Sequence, residues 1–299
     1  MITEQWFLLA LLTPALFALI NIIDDNLLRN VYRSAHFGAI ISGIFGLLPL
    51  TALFFVDISV PSPLVAGLGL LAGFLTVMYY YFYFRGLEVE KPSVVISLFS
   101  LAPALIPFLA YFFLKEVLTL NQYLGFGIIL FSSLAISVTD IKKFKFSPAF
   151  ILVGIGAFIF AVISVIGKYV YTEVDFWTGY MLFSMGMGLG ALFLVLSTKK
   201  GREFGKEFKK TFKKWILVFS FVELLGISAE FVGNLAISKG PVSIVKVIEG
   251  IQPIYVLLFA VLFFPFFPKY LRDAAGENKL RNGILMLLMI AGLFLIYKS

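Results

Sequence analysis

The chain has 299 residues, 61% of them hydrophobic and only 14% charged, with a mean hydropathy of +1.00 and a formal net charge of +7. A soluble domain carries about a quarter charged residues, so the composition excludes one and predicts an all-α polytopic membrane protein. With no cysteine and one histidine (His36), disulfides and thiolate or His-rich metal sites are excluded, and no metal or cofactor is expected. The positive charge fits basic cytoplasmic loops rather than nucleic acid.

Apolar runs predict ten transmembrane helices: Gln5–Leu28, His36–Val56, Pro63–Phe84, Pro92–Leu114, Leu120–Val138, Pro148–Tyr171, Phe176–Leu196, Trp215–Ile237, Val242–Phe264 and Asn282–Tyr297. The N-terminus lacks the basic stretch of a secretory signal, so the first run is read as a span. It carries Pro14, Asn21 and Asp25. The third carries Tyr79, Tyr80 and Tyr83; Tyr79 and Tyr83 share a helix face, either as an interfacial aromatic belt or as a cation-binding surface. Pro14, Pro103 and Pro253, with Pro107, free backbone carbonyls inside spans and are candidate hinges. Ser164 and Lys168 fall in the sixth span. Gly186-Met187-Gly188-Leu189-Gly190 in the seventh reads as a helix contact, because no strand precedes it as a phosphate loop would require. The run Lys199–Lys214 reads equally as a basic amphipathic helix on anionic lipid or as a solvated loop.

The eighth and ninth spans hold the densest charge. Glu223, Glu230 and Asn234 recur on one face of the eighth, and Lys246 and Glu249 stand three apart in the ninth. At a helical rise of about 1.5 Å per residue, the three glutamates lie roughly 11–13 Å from the ends of their spans, in the middle third of a bilayer. An ionised group there costs roughly 2.5–3.5 kcal/mol on insertion scales, so it faces a partner or a wet cavity. Such carboxylates are candidate proton carriers.

The halves repeat. Phe17–Asp25 aligns with Phe160–Lys168, with Asn21 opposite Ser164 and Asp25 opposite Lys168; Pro103 aligns with Pro253. Five spans per half is an odd number, so 1–140 and 147–299 are expected to form two inverted five-helix repeats within one membrane domain, with the site near the midplane between them. Basic residues crowd the loops opposite the termini, including eight from Lys199 to Lys214, while the terminal side holds Lys115, Lys239 and Lys298. The positive-inside rule puts both termini outside a cell (cytoplasmic) membrane.

Tyr83-Phe84-Arg85-Gly86-Leu87-Glu88-Val89-Glu90-Lys91-Pro92-Ser93-Val94-Val95, then Ser100–Leu105 with Pro103, and the closing pair Lys115-Glu116 resemble the third-to-fourth span signature of EamA-type carriers in the drug/metabolite transporter superfamily. Asn234–Val242 through Gln252-Pro253 repeats the pattern, and Lys168 matches a lysine common late in a repeat's first span. The sequence departs at Pro265–Pro268, where no counterpart of Glu116 stands, and at Asp25, whose charge opposes that of Lys168. The resemblance implies cytoplasmic termini, the reverse of the loop-charge reading. It also implies secondary active transport of a small molecule by alternating access.

The resulting expectation is a carrier, monomer or homodimer in the lipid bilayer, for a small polar metabolite that is amino-acid-like or amine-bearing. A proton is the candidate coupling ion. Its expected binding residues are Glu223, Glu230, Asn234, Lys246, Glu249, Asn21, Tyr79, Tyr83, Ser164, Lys168 and Asp25. The alternatives are a flippase for a lipid-linked or head-group substrate and a non-transporting receptor or scaffold. No Ser/His pair or paired-Asp motif supports an enzyme.

Overall fold

The computed structural model describes residues 2–30, 34–89, 95, 99, 102–137, 148–263 and 279–298, and among these every regular element is helical. We label them α1 Ile2–Asn30, α2 Ala35–Phe45, α3 Pro63–Val89, α4 Ala102–Leu114, α5 Leu120–Ser137, α6 Pro148–Glu173, α7 Phe176–Ser197, α8 Phe204–Lys239, α9 Val242–Ile248, α10 Gln252–Phe263 and α11 Lys279–Tyr297. Among the described residues, seven stretches are long and apolar enough to cross a membrane: Ala35–Phe54, Pro63–Val89, Phe150–Glu173, Phe176–Ser197, Ile216–Lys239, Val242–Phe259 and Leu280–Tyr297. The remaining three predicted spans coincide with shorter apolar helices, Gln5–Ile20, Ala102–Leu114 and Leu120–Ile136. The start of the predicted fourth span lies outside the described residues.

Three elements depart from simple spans. The second is α-helical only to Phe45 and continues, past Pro49, as a 3-10 helix over Leu48–Phe54. The ninth is broken, with a 3-10 turn at Glu249–Ile251 between α9 and α10. Lys199–Lys214 is not a loop: after one turn at Lys199–Arg202, α8 starts at Phe204 and runs unbroken into the span. Its 36 residues reach about 54 Å, beyond a hydrocarbon core of about 30 Å. Phe204 docks this extension on Phe37 at 5.4 Å between ring centroids.

The helix pairing has a regularity. α1 packs along α8 and α3 along α6; α4 packs on α6 and α1 on α10; α2 meets α7, α4 meets α9 and α5 meets α11. Exchanging the first five segments for the last five, with α9–α10 counted as one, maps each of these pairs onto itself or another. The two largest apolar cores among the described residues lie around Ile106, Ile129, Ile244, Ile248 and Met289, and around Ile40, Val77, Tyr180 and Phe183. Large apolar side chains such as Phe108, Phe112, Phe131, Leu192 and Leu217 point outward, as a lipid-facing surface requires.

α3 and α7 approach each other closely through glycine. A Cβ on Gly73 would overlap the Phe183 carbonyl, and one on Gly186 would overlap the Leu70 carbonyl. The glycine-rich run is therefore a packing surface, as its composition suggested. At one end of the bundle, Ser59 and Thr178 gather on Asp175, the N-cap of α7, which accepts Thr178 N–H at 2.9 Å and Ser59 Oγ–H at 2.8 Å. Burial pushes this carboxyl upward, but the hydrogen bonds from Thr178 and Ser59 outweigh it and bring its pKa from 3.8 to about 2.

Gly73→Ala should destabilise the purified protein by about 1–3 kcal/mol through overpacking, read as a lower thermal midpoint. Gly67→Ala and Gly226→Ala, where a Cβ meets open space, should leave the midpoint within error. Because the Asp175 pKa is depressed on folding, its stabilisation is full above the unfolded value and is lost as pH falls from about 4 toward 2. The midpoint difference between wild type and Asp175→Asn should shrink over that interval.

Candidate functional site

The site forms where one face from each of several helices converges. On α6, Phe160, Ile163, Ser164 and Gly167 follow helical spacing; on α8, Glu230, Asn234 and Ile237 do the same. Thr76 and Tyr79 come from α3, Phe183 from α7 and Lys246 from α9. Together they line a cavity of about 30 Å³, roughly room for one or two waters. Thr76 Oγ donates to Ala72 O at 2.9 Å and Ser164 Oγ to Phe160 O at 2.8 Å. Both hydroxyl protons are spent on their own helices, leaving oxygen lone pairs as acceptors on the cavity.

Glu230 is the best-supported carboxylate of this wall. Tyr80 Oη donates to its Oε1 at 2.9 Å, and Asn234 Nδ2 lies 3.4 Å from Oε2 while donating to the Glu230 carbonyl at 2.8 Å. Tyr171 Oη in turn donates to Asn234 Oδ1 at 3.0 Å. A chain of tyrosine, carboxylate, amide and tyrosine thus ties α3, α8 and α6 together. Across from it, Lys246 Nζ donates to Glu249 Oε1 at 2.7 Å and stands 4.8 Å from the Phe160 ring centroid. Phe160 is 5.3 Å from Tyr79, which is itself stacked on Tyr83 at 6.5 Å.

Glu230, Asn234, Lys246, Ser164 and Tyr79 are thus gathered on the cavity, with Glu249 behind Lys246. Other expected residues lie elsewhere. Glu223, one turn-pair up α8, accepts from Ser42 Oγ of α2 at 3.2 Å and is not among the cavity-lining residues. Tyr83 packs on Phe99 at 5.3 Å beside Val95 and Val153. Lys168 Nζ donates to the carbonyls of Ile237 and Gly240, both at 2.9 Å, capping the end of α8. The side chains of Asn21 and Asp25 lie outside the described residues. Among the hinges, Pro14 sits within α1 and Pro253 in the first turn of α10, while the residues just before Ala102-Pro103 lie outside the described ones. The interruption in the ninth segment is the 3-10 turn just before Pro253, which puts Glu249 where α-helical hydrogen bonding gives way.

Tyr80, Tyr171, Phe160 and Thr76 were not singled out as binding residues. Tyr171 had a signal, since it lies on the Ser164 face two turns on; Phe160 had none beyond its place in the repeat. Glu116 also gains a definite role. Lys115 turns the chain at φ 56°, and Glu116 then accepts the N–H groups of Val242 at 2.9 Å and Ser243 at 3.0 Å. This carboxylate, borrowed from the end of α4, caps the start of α9. Trp6 closes over the same elbow, where a Cβ on Gly240 would come within 2.6 Å of its ring.

Apolar helices packed through glycine, with large apolar side chains turned outward and Glu230 and Lys246 turned onto an internal cavity, define a polytopic helical membrane protein. Residues 5–138 match the model of the EamA-like transporter family. Among solved structures, one crystal structure aligns with 97% of this chain and 97% of its own at a TM-score of 0.70 and 19% identity, so the two share a fold. No curated protein matches the chain.

Replacing Glu116 by alanine removes the cap of α9 and should lower stability by about 0.5–2 kcal/mol. Glu116→Gln should lose less. Thermal unfolding in detergent measures both, and a silent Glu116→Ala would show that the elbow does not need its clamp.

Proposed function

We propose that the protein is a secondary active transporter of a small polar metabolite bearing an amine, working by alternating access between two inverted five-helix repeats, 1–140 and 147–299. The observation that carries this reading is the internal cavity faced by Glu230 and Lys246 and walled by Tyr79 and Phe160. The family match over residues 5–138 supports the membrane-transporter class. The self-mapping of the helix pairs under exchange of halves supports the repeats. Contacts at the bundle's ends support an even number of crossings with the termini on one side: Trp6 with Gly240 and Phe7 with Tyr297 lie at one end, with Glu116 on Val242. The loop-charge reading places that end outside the cell.

The cavity's polar groups select for a cation. Its hydroxyls present acceptors, Glu230 and Glu249 supply two carboxylates against the single Lys246, and aromatic faces attract ammonium groups. Glu230 is the coupling-proton site in this reading, because it alone of the three glutamates lines the cavity. Glu223, held by Ser42, has a structural part.

The test is transport in proteoliposomes loaded with a pH-sensitive dye, after a thermal-shift screen of amino acids, polyamines and choline-like cations has supplied a ligand. Glu230→Gln should abolish substrate-driven proton movement and weaken binding by about tenfold or more, the equivalent of one charge-assisted hydrogen bond. Glu223→Gln should keep both. Proton movement unaffected by Glu230→Gln would sink the coupling assignment.

A further inference from the structure

We propose that Glu249, Phe160 and Tyr79 form a subsite for a substrate's ammonium group, and that Lys246 is its resident cation, occupying it between substrates. The inference rests on the carrier reading above and deepens it. The ammonium of Lys246 already makes the contacts that a ligand ammonium would make: a carboxylate oxygen at 2.7 Å and an aromatic face at 4.8 Å, with Tyr79 flanking Phe160 at 5.3 Å.

Comparison with Lys168 separates this lysine from a structural one. Lys168 spends its donors on two backbone carbonyls at a helix end, where a fixed charge completes a cap. Lys246 has a single described acceptor, a side-chain carboxylate and not helix-end backbone, and lines the cavity. A buried ion pair of this kind contributes little net stability against apolar replacements, so packing alone does not account for it.

Space and charge fix how the subsite would be used. A cavity of about 30 Å³ has room for one or two waters, so in this proposal the incoming ammonium takes the lysine's place. Lys246 belongs to the seven-residue α9, and Glu249 begins the 3-10 turn that separates α9 from α10. A shift of α9 at that break withdraws Lys246 from Glu249 and leaves the carboxylate facing the cavity. The excess of acidic groups around the cavity makes the replacement a cation, not an anion.

The experiment measures binding of propylammonium chloride to detergent-purified protein by calorimetry, with sodium chloride and propanol as controls. Propylammonium carries the atoms that Lys246→Ala lacks. The wild type should bind it saturably, and Phe160→Leu should weaken that binding by about tenfold, the upper part of a cation–π contribution. Lys246→Ala should bind it at least about tenfold more tightly than the wild type, because a resident present nine-tenths of the time reduces apparent affinity by that factor. Binding confined to Lys246→Ala would show a fixed structural lysine and overturn the proposal, as would indifference to Phe160→Leu or no binding to any of the three. Should Lys246→Ala fail to fold, wild type against Phe160→Leu still decides. Glu230-dependent proton movement without propylammonium binding would sink this subsite alone; binding without any transport would sink the carrier reading and leave the subsite standing.

Discussion

An ionised side chain within a hydrocarbon slab has to be met by another polar group, and much of this structure is the set of answers to that demand. The answers are of two kinds. Lys168 and Glu116 are matched to backbone groups that helix ends leave unpaired, carbonyls of α8 in one case and amides of α9 in the other. Those charges are part of the fold's own hydrogen bonding. Glu230, Lys246 and Glu249 are matched instead to side chains, Tyr80 and Asn234 for the first and each other for the last two. Side-chain partners can rotate away without unravelling a helix, so a ligand can take their place.

This distinction explains how much of the site was legible in the sequence. Hydropathy located the spans because lipid tolerates little else. Depth along a span located Glu230 and Glu249 because a carboxylate there needs a reason. Depth alone could not separate Glu230 from Glu223, seven residues earlier on the same helix, since the difference lies in what faces them: Tyr80 of α3 against Ser42 of α2. Nor could it separate Lys168 from Lys246, for which the deciding fact is a nearby helix end. Aromatic residues such as Phe160 are even less legible in a chain with 35 phenylalanines, most of which serve packing or lipid. Of the prolines read as hinges, Pro253 follows directly on the interruption in the ninth segment, the 3-10 turn at Glu249–Ile251.

The broken ninth segment links the two kinds of charge. α9 is only seven residues long and wholly buried, too short to hold its conformation unaided. Glu116 fixes its first amides at the elbow by Gly240, and at its other end regular α-helical bonding gives way at Glu249. It is thus a short rigid rod between a clamp supplied by the first half of the chain and a joint beside the cavity. Lys246 rides on this rod one turn before the joint. A displacement of α4 against α9, a pair that exchange of the halves maps onto itself, would therefore reach Lys246 and Glu249 directly. The elbow at Gly240 and the joint at Glu249 are linked by about two turns of helix, and neither can be rearranged without moving the lysine that sits between them.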